Sequence, residues 1–301
     1  MQRLLIVYNP NSSQYIHVRD GILNRLTDLS GFIIGKFEIQ KTNFDSNVTR
    51  LAKILRDDDL VLAAGGDATA DITANAILKS KKDTTFAVLP YGNFNDLART
   101  LGSMKFEDLW QSHSPKKFYP LEIVVDGKFW RYATCYTTIG MTAEAVKIFD
   151  EPKIRQNMQK GHKSSWRSYL QLASWYFKNR HRSVFLPEFK LNGVKKHPKT
   201  SDYAAVNGKS MSRVMKGGDD FLKPKVFRSE TERTISFPHL FVLMAKSILH
   251  RVPGKETTGD ILEFEKPSTI SIQAEGEYET FVNVSKVEIK KTTKFLKVVT
   301  K

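Results

Sequence analysis

Apolar and polar positions follow two alternating rhythms over the first hundred residues. "LLIVY" (4–8) is a short continuous apolar run, closed by the turn and cap residues "NPNSS" (9–13). A run of this kind between breakers reads as a buried strand. Ile16, Ile22, Leu23, Leu26 and Leu29 then recur near helical spacing, and "GFIIGKFEI" (31–39) returns to strand. "NVTRLAKILR" puts Val48, Leu51, Ala52 and Leu55 on one helical side. "LVLAA" (60–64) and "TFAVLP" (85–90) read as further strands, with "ADITANAILKS" (70–80) as the helix between them. Repeated strand–helix alternation predicts a parallel sheet with helices on both faces. Ligands of such sheets bind beyond the carboxyl ends of the strands. "NPNSS", "GGDAT" (65–69) and "PYGNFND" (90–96) each follow a strand directly, so all three are expected on that edge.

The rhythm changes near residue 119. "PLEIVVDGKFWRYATCYTT" (120–138) reads as strand, Asp126-Gly127 turn and strand. More short, turn-punctuated strands follow, as in a mostly antiparallel domain. A basic segment (153–182) and a stretch near 238–250 have helical patterns. The expected architecture is an α/β domain with a parallel sheet (1–119) and a mostly antiparallel β-rich domain (120–301), whose last residues can return to the first domain.

Composition narrows the class. Hydrophobic residues make up 41% and charged residues 26%, which suits a globular chain with a sizeable core. The opening apolar run is too short for a signal peptide. "LFVLMA" (240–245) is far below a membrane span. A lone cysteine, Cys135, excludes an internal disulfide, and the cytoplasm is the expected compartment. Lys plus Arg number 47 against 32 acids, a net charge of +15, which draws the chain towards polyanions without choosing among them. No G-x-G-x-x-G occurs. "NGKS" (207–210) is not a P-loop, because Tyr203 occupies the required upstream glycine position. The seven histidines form no metal or triad pattern.

Chemistry concentrates in the loops. A strand end feeding a helix supplies backbone N–H groups and a positive dipole end, and glycines let that backbone approach anionic oxygens. Asp67 makes sense beside phosphate only if a divalent cation lies between them. Alone, "GGDAT" also fits a plain turn with a solvated aspartate, and Asn95-Asp96 an ordinary N-cap.

Together the two loops resemble the diacylglycerol-kinase catalytic-domain family of soluble lipid kinases. The match runs through Gly65, Gly66, Asp67 and Thr69, then Pro90, Gly92, Asn95, Asp96, Ala98 and Arg99, with "NPNSS", Thr42, Asn207-Gly208 and "AEGEYE" elsewhere. The resemblance implies ATP and Mg²⁺, a nucleotide-binding first domain and a cleft between it and a lipid-substrate second domain. It implies nucleotide binding at Asn9, Ser12, Thr42, Gly65, Gly66, Asp67, Ala68, Thr69, Asn93 and Glu277, with the 65–69 backbone amides, Thr69 and Asn93 orienting the phosphates, and the metal held through water at Asp67 and Asp96. The family's Asp-Gly-Glu stands here as Glu275-Gly276-Glu277, making Glu275 the implied general base, one methylene longer. Without the loops, Glu275 reads as a surface residue at a hairpin turn.

Several positions depart from the family pattern. Ala68 replaces a glycine, and its methyl crowds the loop if φ there is positive. Asn93 and Phe94 replace Thr and a variable residue. Glu122 is the nearest acid to a metal-linked position at the start of the second domain, and Gly217-Gly218 fit poorly a glycine-rich stretch.

The resemblance implies a lipid alcohol as acceptor, diacylglycerol first and sphingoid bases or other alcohols behind it. It also implies transient contact with an anionic membrane, peripheral at its inner surface. No specific nucleic acid is expected, and a homodimer is allowed. Residues 153–182 carry eight Lys or Arg and no acid, with Trp166, Leu170, Ala173 and Phe177 at helical spacing. They read either as a core-facing stripe with a solvated basic face or as a membrane-resting surface. The rival functions are a NAD-kinase-like enzyme, which shares Gly-Gly-Asp, and a silent protein binding anionic membrane or nucleic acid.

Overall fold

The first rhythm of the sequence becomes β1 (Arg3–Tyr8), α1 (Tyr15–Gly21), β2 (Ile33–Glu38), α2 (Phe44–Ile54), β3 (Leu60–Gly65), α3 (Asp67–Ser80), β4 (Thr85–Pro90) and α4 (Asp96–Leu101). The computed structural model describes residues 1–12, 14–28, 31–92, 94–110, 114–140, 142–144, 146, 174, 178, 186–196, 200–211, 215–217, 226–232 and 255–301. The four strands pair in parallel in the order β2-β1-β3-β4. Between β1 and β3 the chain reverses its direction across the sheet, which opens a crevice at their carboxyl ends. β3 is buried at every residue, as a parallel strand covered on both faces must be. α2, α3 and α4 pack one face through Leu51, Ala74, Ile77 and Leu97, while α1 covers the other through Val18 and Ile22.

Local chemistry sets the helix ends. Asn43 caps α2, its side-chain oxygen accepting from the Ser46 N–H at 2.8 Å. α3 begins at Asp67, three residues before the apolar pattern starts, so Asp67, Ala68 and Thr69 form its first turn. The helix expected through Leu29 instead splits after Gly21 into a 3₁₀ segment, Leu23–Asp28. Ile16 is 52% exposed, so its place in the helical spacing did not mark a buried face. Leu29 lies outside the described residues.

Beyond α4 the chain adds β5 (Lys116–Phe118), β6 (Leu121–Val125), β7 (Lys128–Ala133) and β8 (Tyr136–Gly140). β6, β7 and β8 belong to a second sheet of ten strands, whose spine is the long hairpin Gly259–Ala274 and Glu277–Lys291. All its described pairings are antiparallel. The final strand, Leu296–Val298, inserts between β4 and β5 in the first sheet. The chain therefore crosses between the two units twice, and the crossings lie together: the Thr292 N–H donates to the Pro120 carbonyl at 3.0 Å and Lys291 Nζ to the Tyr119 carbonyl at 2.8 Å. The basic segment 153–182, apart from residues 174 and 178, and the stretch 238–250 lie outside the described residues.

The units share a core. Tyr132, Tyr136 and Val206 of the second pack with Ala74 of α3 and Leu97 of α4. On α3, Asn75 acts as a substitute strand for β7: its amide donates to the Tyr132 carbonyl at 2.9 Å and accepts from the Tyr132 N–H at 3.0 Å. A buried strand edge left unpaired would strand such polar groups, and this one side chain satisfies two.

Candidate functional site

Two glycine-bearing loops abut at the carboxyl edge of the first sheet. A Cβ on Gly92 would overlap Gly66 Cα, and one on Gly65 would come within 2.5 Å of Thr69 Oγ1. Sequence reasoning gave these glycines to phosphate approach. In the structure they serve the fold first, by letting the β3–α3 and β4–α4 loops touch backbone to backbone.

Asp67 locks that contact. Its carboxylate accepts from the backbone N–H groups of Asn95 (2.9 Å), Asp96 (2.6 Å) and Leu97 (3.4 Å), so it caps α4 from the start of α3. Asn95, at φ 55°, closes the loop below, its oxygen accepting from the Gly92 N–H at 2.7 Å and its amide donating to the Gly92 carbonyl at 2.7 Å. Burial and the nearby Asp96 charge push the Asp67 carboxyl up to about 6, against the pull of the three N–H groups. Ala68 lies in the first helical turn and is absent from the positive-φ residues, so its methyl costs nothing there. The crowding anticipated for it does not occur.

Asp96 is fully enclosed. Its carboxylate meets the Arg99 guanidinium and accepts from Ser210 Oγ at 3.0 Å; Arg99 in turn donates to Ser210 Oγ at 2.9 Å. The "NGKS" stretch is thus a clasp: Ser210 meets Asp96, the Lys209 N–H donates to Thr100 Oγ1 at 3.0 Å, and a Cβ on Gly208 would collide with Thr100 and Cys135.

The remaining loop residues share the edge. Asn9 accepts from the Asn11 N–H at 2.9 Å and Ser12 from the Gln14 N–H at 3.2 Å, so both shape the turn after β1. Thr42 follows β2, exposed, its hydroxyl accepting from the Asn47 amide at 3.1 Å. Asn93 lies outside the described residues. A hollow of about 460 Å³ opens between α1 and residues 90–92, lined in part by Gln14, His17 and Tyr91.

Across the boundary stands Glu275. With Gly276 it forms the two-residue turn of the long hairpin, at φ 52° and 89°. A glutamate at positive φ is uncommon and costs free energy that its surroundings must offset. They do so by gripping the side chain: Oε1 accepts from the Cys135 N–H at 2.5 Å and the Tyr136 N–H at 2.8 Å, at the corner between β7 and β8. Glu275 is 3% exposed, which overturns the reading of it as a surface glutamate. Oε2 is buried and has no hydrogen-bond partner among the described residues. Burial raises the carboxyl well above its usual range, and the charges of Asp71 and Asp67 raise it further. Burial and the charges of Glu275, Asp96 and Asp67 push the Cys135 thiol up, which disfavours its thiolate. Glu277 is exposed and acts electrostatically on Asp71 and Arg131. Glu122 is half-buried on β6, opposite Tyr132.

Sequence reasoning missed two residues here. Asp71, one turn after Asp67, is wholly buried, and burial drives its carboxyl up while the Arg131 charge and the Thr134 N–H pull it down. The i, i+4 spacing of the two aspartates was the available signal. Arg131 lies on β7, 6% exposed, its guanidinium 4.1 Å from the ring centres of both Phe44 and Trp130. Its Nε and Nη1 have no hydrogen-bond partner among the described residues, and burial lowers its pKa. An arginine inside "FWRYA" was the only sign of it.

The architecture is therefore that of a two-unit α/β protein: a parallel sheet presenting N–H-rich loops to an acid from an antiparallel β-rich partner unit. Residues 3–123 match the model of the diacylglycerol kinase catalytic domain. It is 33% identical over 106 residues to a diacylglycerol kinase of Bacillus subtilis (strain 168), covering 34% of each chain. It is 28% identical over 102 residues to one of Staphylococcus carnosus (strain TM300), covering 33% of each. These alignments span about a third of the relatives' length. A crystal structure of a diacylglycerol kinase from Bacillus anthracis str. Sterne superposes over 100% of this chain and 97% of its own, with TM-score 0.63 and 14% identity, a likeness of fold.

Proposed function

We propose that this protein is an ATP-dependent lipid kinase that phosphorylates the hydroxyl of diacylglycerol or a related lipid alcohol. One observation carries the reading. Glu275 is held by two N–H groups on one oxygen while the other has no partner among the described residues, and the charges of Asp71 and of Asp67 on the glycine loop act on it. A carboxylate whose pKa is raised is, once ionised, a stronger base towards an alcohol. Glu275 takes the hydroxyl proton on Oε2 as the substrate oxygen attacks the γ-phosphoryl group. Backbone N–H groups of the 65–69 loop orient the phosphates, and the hollow beside α1 leaves the sheet edge room for a nucleotide.

Asp67 suits a hydrated divalent cation, since its oxygens keep lone pairs beyond the three N–H bonds and Mg²⁺ commonly takes one or two carboxylates with phosphate and water. Asp96 does not suit direct ligation, because Arg99 and Ser210 already hold it in an enclosed position. When bound, the cation neutralises phosphate charge.

The test incubates the protein with labelled ATP, Mg²⁺ and mixed lipid vesicles, beside Glu275→Gln and Asp67→Asn. Labelled lipid from wild type and almost none from either variant supports the kinase. Vesicle binding without label favours a silent binder, and labelled NAD in a parallel tube favours a NAD kinase.

A further inference from the structure

Two large aromatic side chains stand out of the surface beside the junction of the units. Phe129 on β7 is 52% exposed and Phe295, just before the final strand, is 38% exposed. Both are held in place rather than free. The Phe129 ring lies 4.7 Å from that of Tyr132, centre to centre, and Phe295 lies 6.0 Å from Tyr119. Ammonium groups accompany them. Lys117 Nζ sits 4.5 Å over the Phe295 ring, and Lys294 Nζ donates to the Tyr132 hydroxyl at 2.9 Å. Lys128 is exposed next to Phe129. The contacts form a chain, Phe129–Tyr132–Lys294–Phe295–Lys117, in which the buried Tyr132 ties the exposed ring on β7 to the exposed ring before the final strand. Among the described residues, Lys117, Lys128 and Lys294 have no acidic partner. Glu122, opposite Tyr132, is half-buried.

We propose that this aromatic and basic face is where the protein rests on an anionic lipid bilayer. Aromatic rings favour the headgroup region, and unpaired lysines beside them meet the negative surface potential. Position agrees with chemistry. Lys297 and Val298 pair with Thr85 and Phe86 at the start of β4, so Phe295 lies at the amino edge of the first sheet. The glycine loops lie at the carboxyl edge, so a docked bilayer leaves them open to nucleotide from solution. β7 carries Phe129 at one end, and the corner after its other end holds Glu275. The inference rests on the lipid-kinase reading for its purpose, but not for its test.

Vesicles of phosphatidylcholine alone and of equal parts phosphatidylcholine and phosphatidylglycerol are sedimented with the full-length protein. Wild type is expected to bind only the anionic vesicles. The combined Lys117→Gln, Lys128→Gln, Lys294→Gln variant should weaken this binding about a hundredfold, at about fivefold per lysine. Phe129→Ser with Phe295→Ser should weaken it about tenfold, with the salt dependence unchanged. Thermal melts establish that each variant folds. Both variants should still phosphorylate a short-chain, water-soluble acylglycerol as wild type does. If wild type phosphorylates nothing, the kinase reading fails and the docking result stands by itself. Anionic-vesicle binding unaltered by the lysine variant overturns the proposal. So does a dimer in sedimentation equilibrium that the phenylalanine variant converts to monomer, because the face would then belong to a second copy.

Discussion

The loops around Asp67 and the corner around Glu275 both present backbone N–H groups to a carboxylate, but they are assembled over very different stretches of chain. Asp67 reaches N–H groups 28 to 30 residues ahead, within one strand–helix unit and its neighbour. Glu275 reaches N–H groups 139 and 140 residues behind, within the second unit, where its hairpin turn meets the corner between β7 and β8. In the first region the acid is also a helix cap, so it holds the fold and, in the proposed reading, a cation. In the second, neighbouring carboxylates crowd the acid and nothing described offsets its charge directly. Removing the two carboxylates should therefore separate stability from activity in opposite ways.

The largest effect expected is that of Glu275→Gln. Loss of the proton acceptor should lower kcat about a thousandfold, read with labelled ATP and lipid. Stability should move the other way. The folded pKa of Glu275 lies above its unfolded value, so ionisation costs the folded state free energy. That cost is absent below about pH 4 and grows as pH rises towards the folded pKa. The variant and wild type should melt alike near pH 4, and at pH 8 the variant should be more stable by about 1 kcal/mol. A variant less stable at every pH would show that the carboxylate is structural.

Asp67→Asn should lower both quantities together. Asparagine keeps one acceptor oxygen where the carboxylate offers two, and the α4 cap weakens by about 1–2 kcal/mol. The Asp67 carboxyl, raised to about 6, partly offsets this above that pH, since its ionised form is itself costly in the folded state. The loss in melting temperature should thus be larger at pH 5 than at pH 8, alongside a large fall in kcat. Full activity with normal stability would remove Asp67 from both roles.

Between the two regions stands Asp71, which belongs to α3 but acts on Glu275. Asp71→Asn removes a negative neighbour, so the Glu275 pKa should fall. The acid limb of the kcat/KM profile should then move down by about one pH unit, with the basic limb unmoved. A profile that falls in height without shifting would assign Asp71 to packing alone.

The same contrast explains what could be read before any coordinates. The parallel sheet and its loops follow from runs such as "LVLAA" and breakers such as "GGD", because each element is written in consecutive residues. The cap from Asp67 to α4 was not legible: the sequence offers Asn95-Asp96 as a local cap, whereas the structure puts Asn95 at positive φ and supplies the carboxylate from another helix. The burial of Glu275 was also hidden. Its turn, "AEGE", looks like any exposed hairpin until the corner at 135–136 folds over it. Asp71 and Arg131 escaped because each interrupts an apolar pattern, and only their mutual placement gives the interruption a meaning.

Ala68→Gly is the smallest change and tests the family pattern itself. Glycine is the family residue at this position, and if the loop needed its freedom the substitution should raise activity. The structure argues otherwise, since residue 68 is helical and half-exposed in the first turn of α3. Glycine there gains no contact and enlarges the freedom of the unfolded chain. The variant should lose about 0.5–1 kcal/mol, seen as a lower melting temperature, with kcat and the KM for ATP unchanged. A rise in kcat without loss of stability would mean that the loop departs from its helical turn when a nucleotide binds.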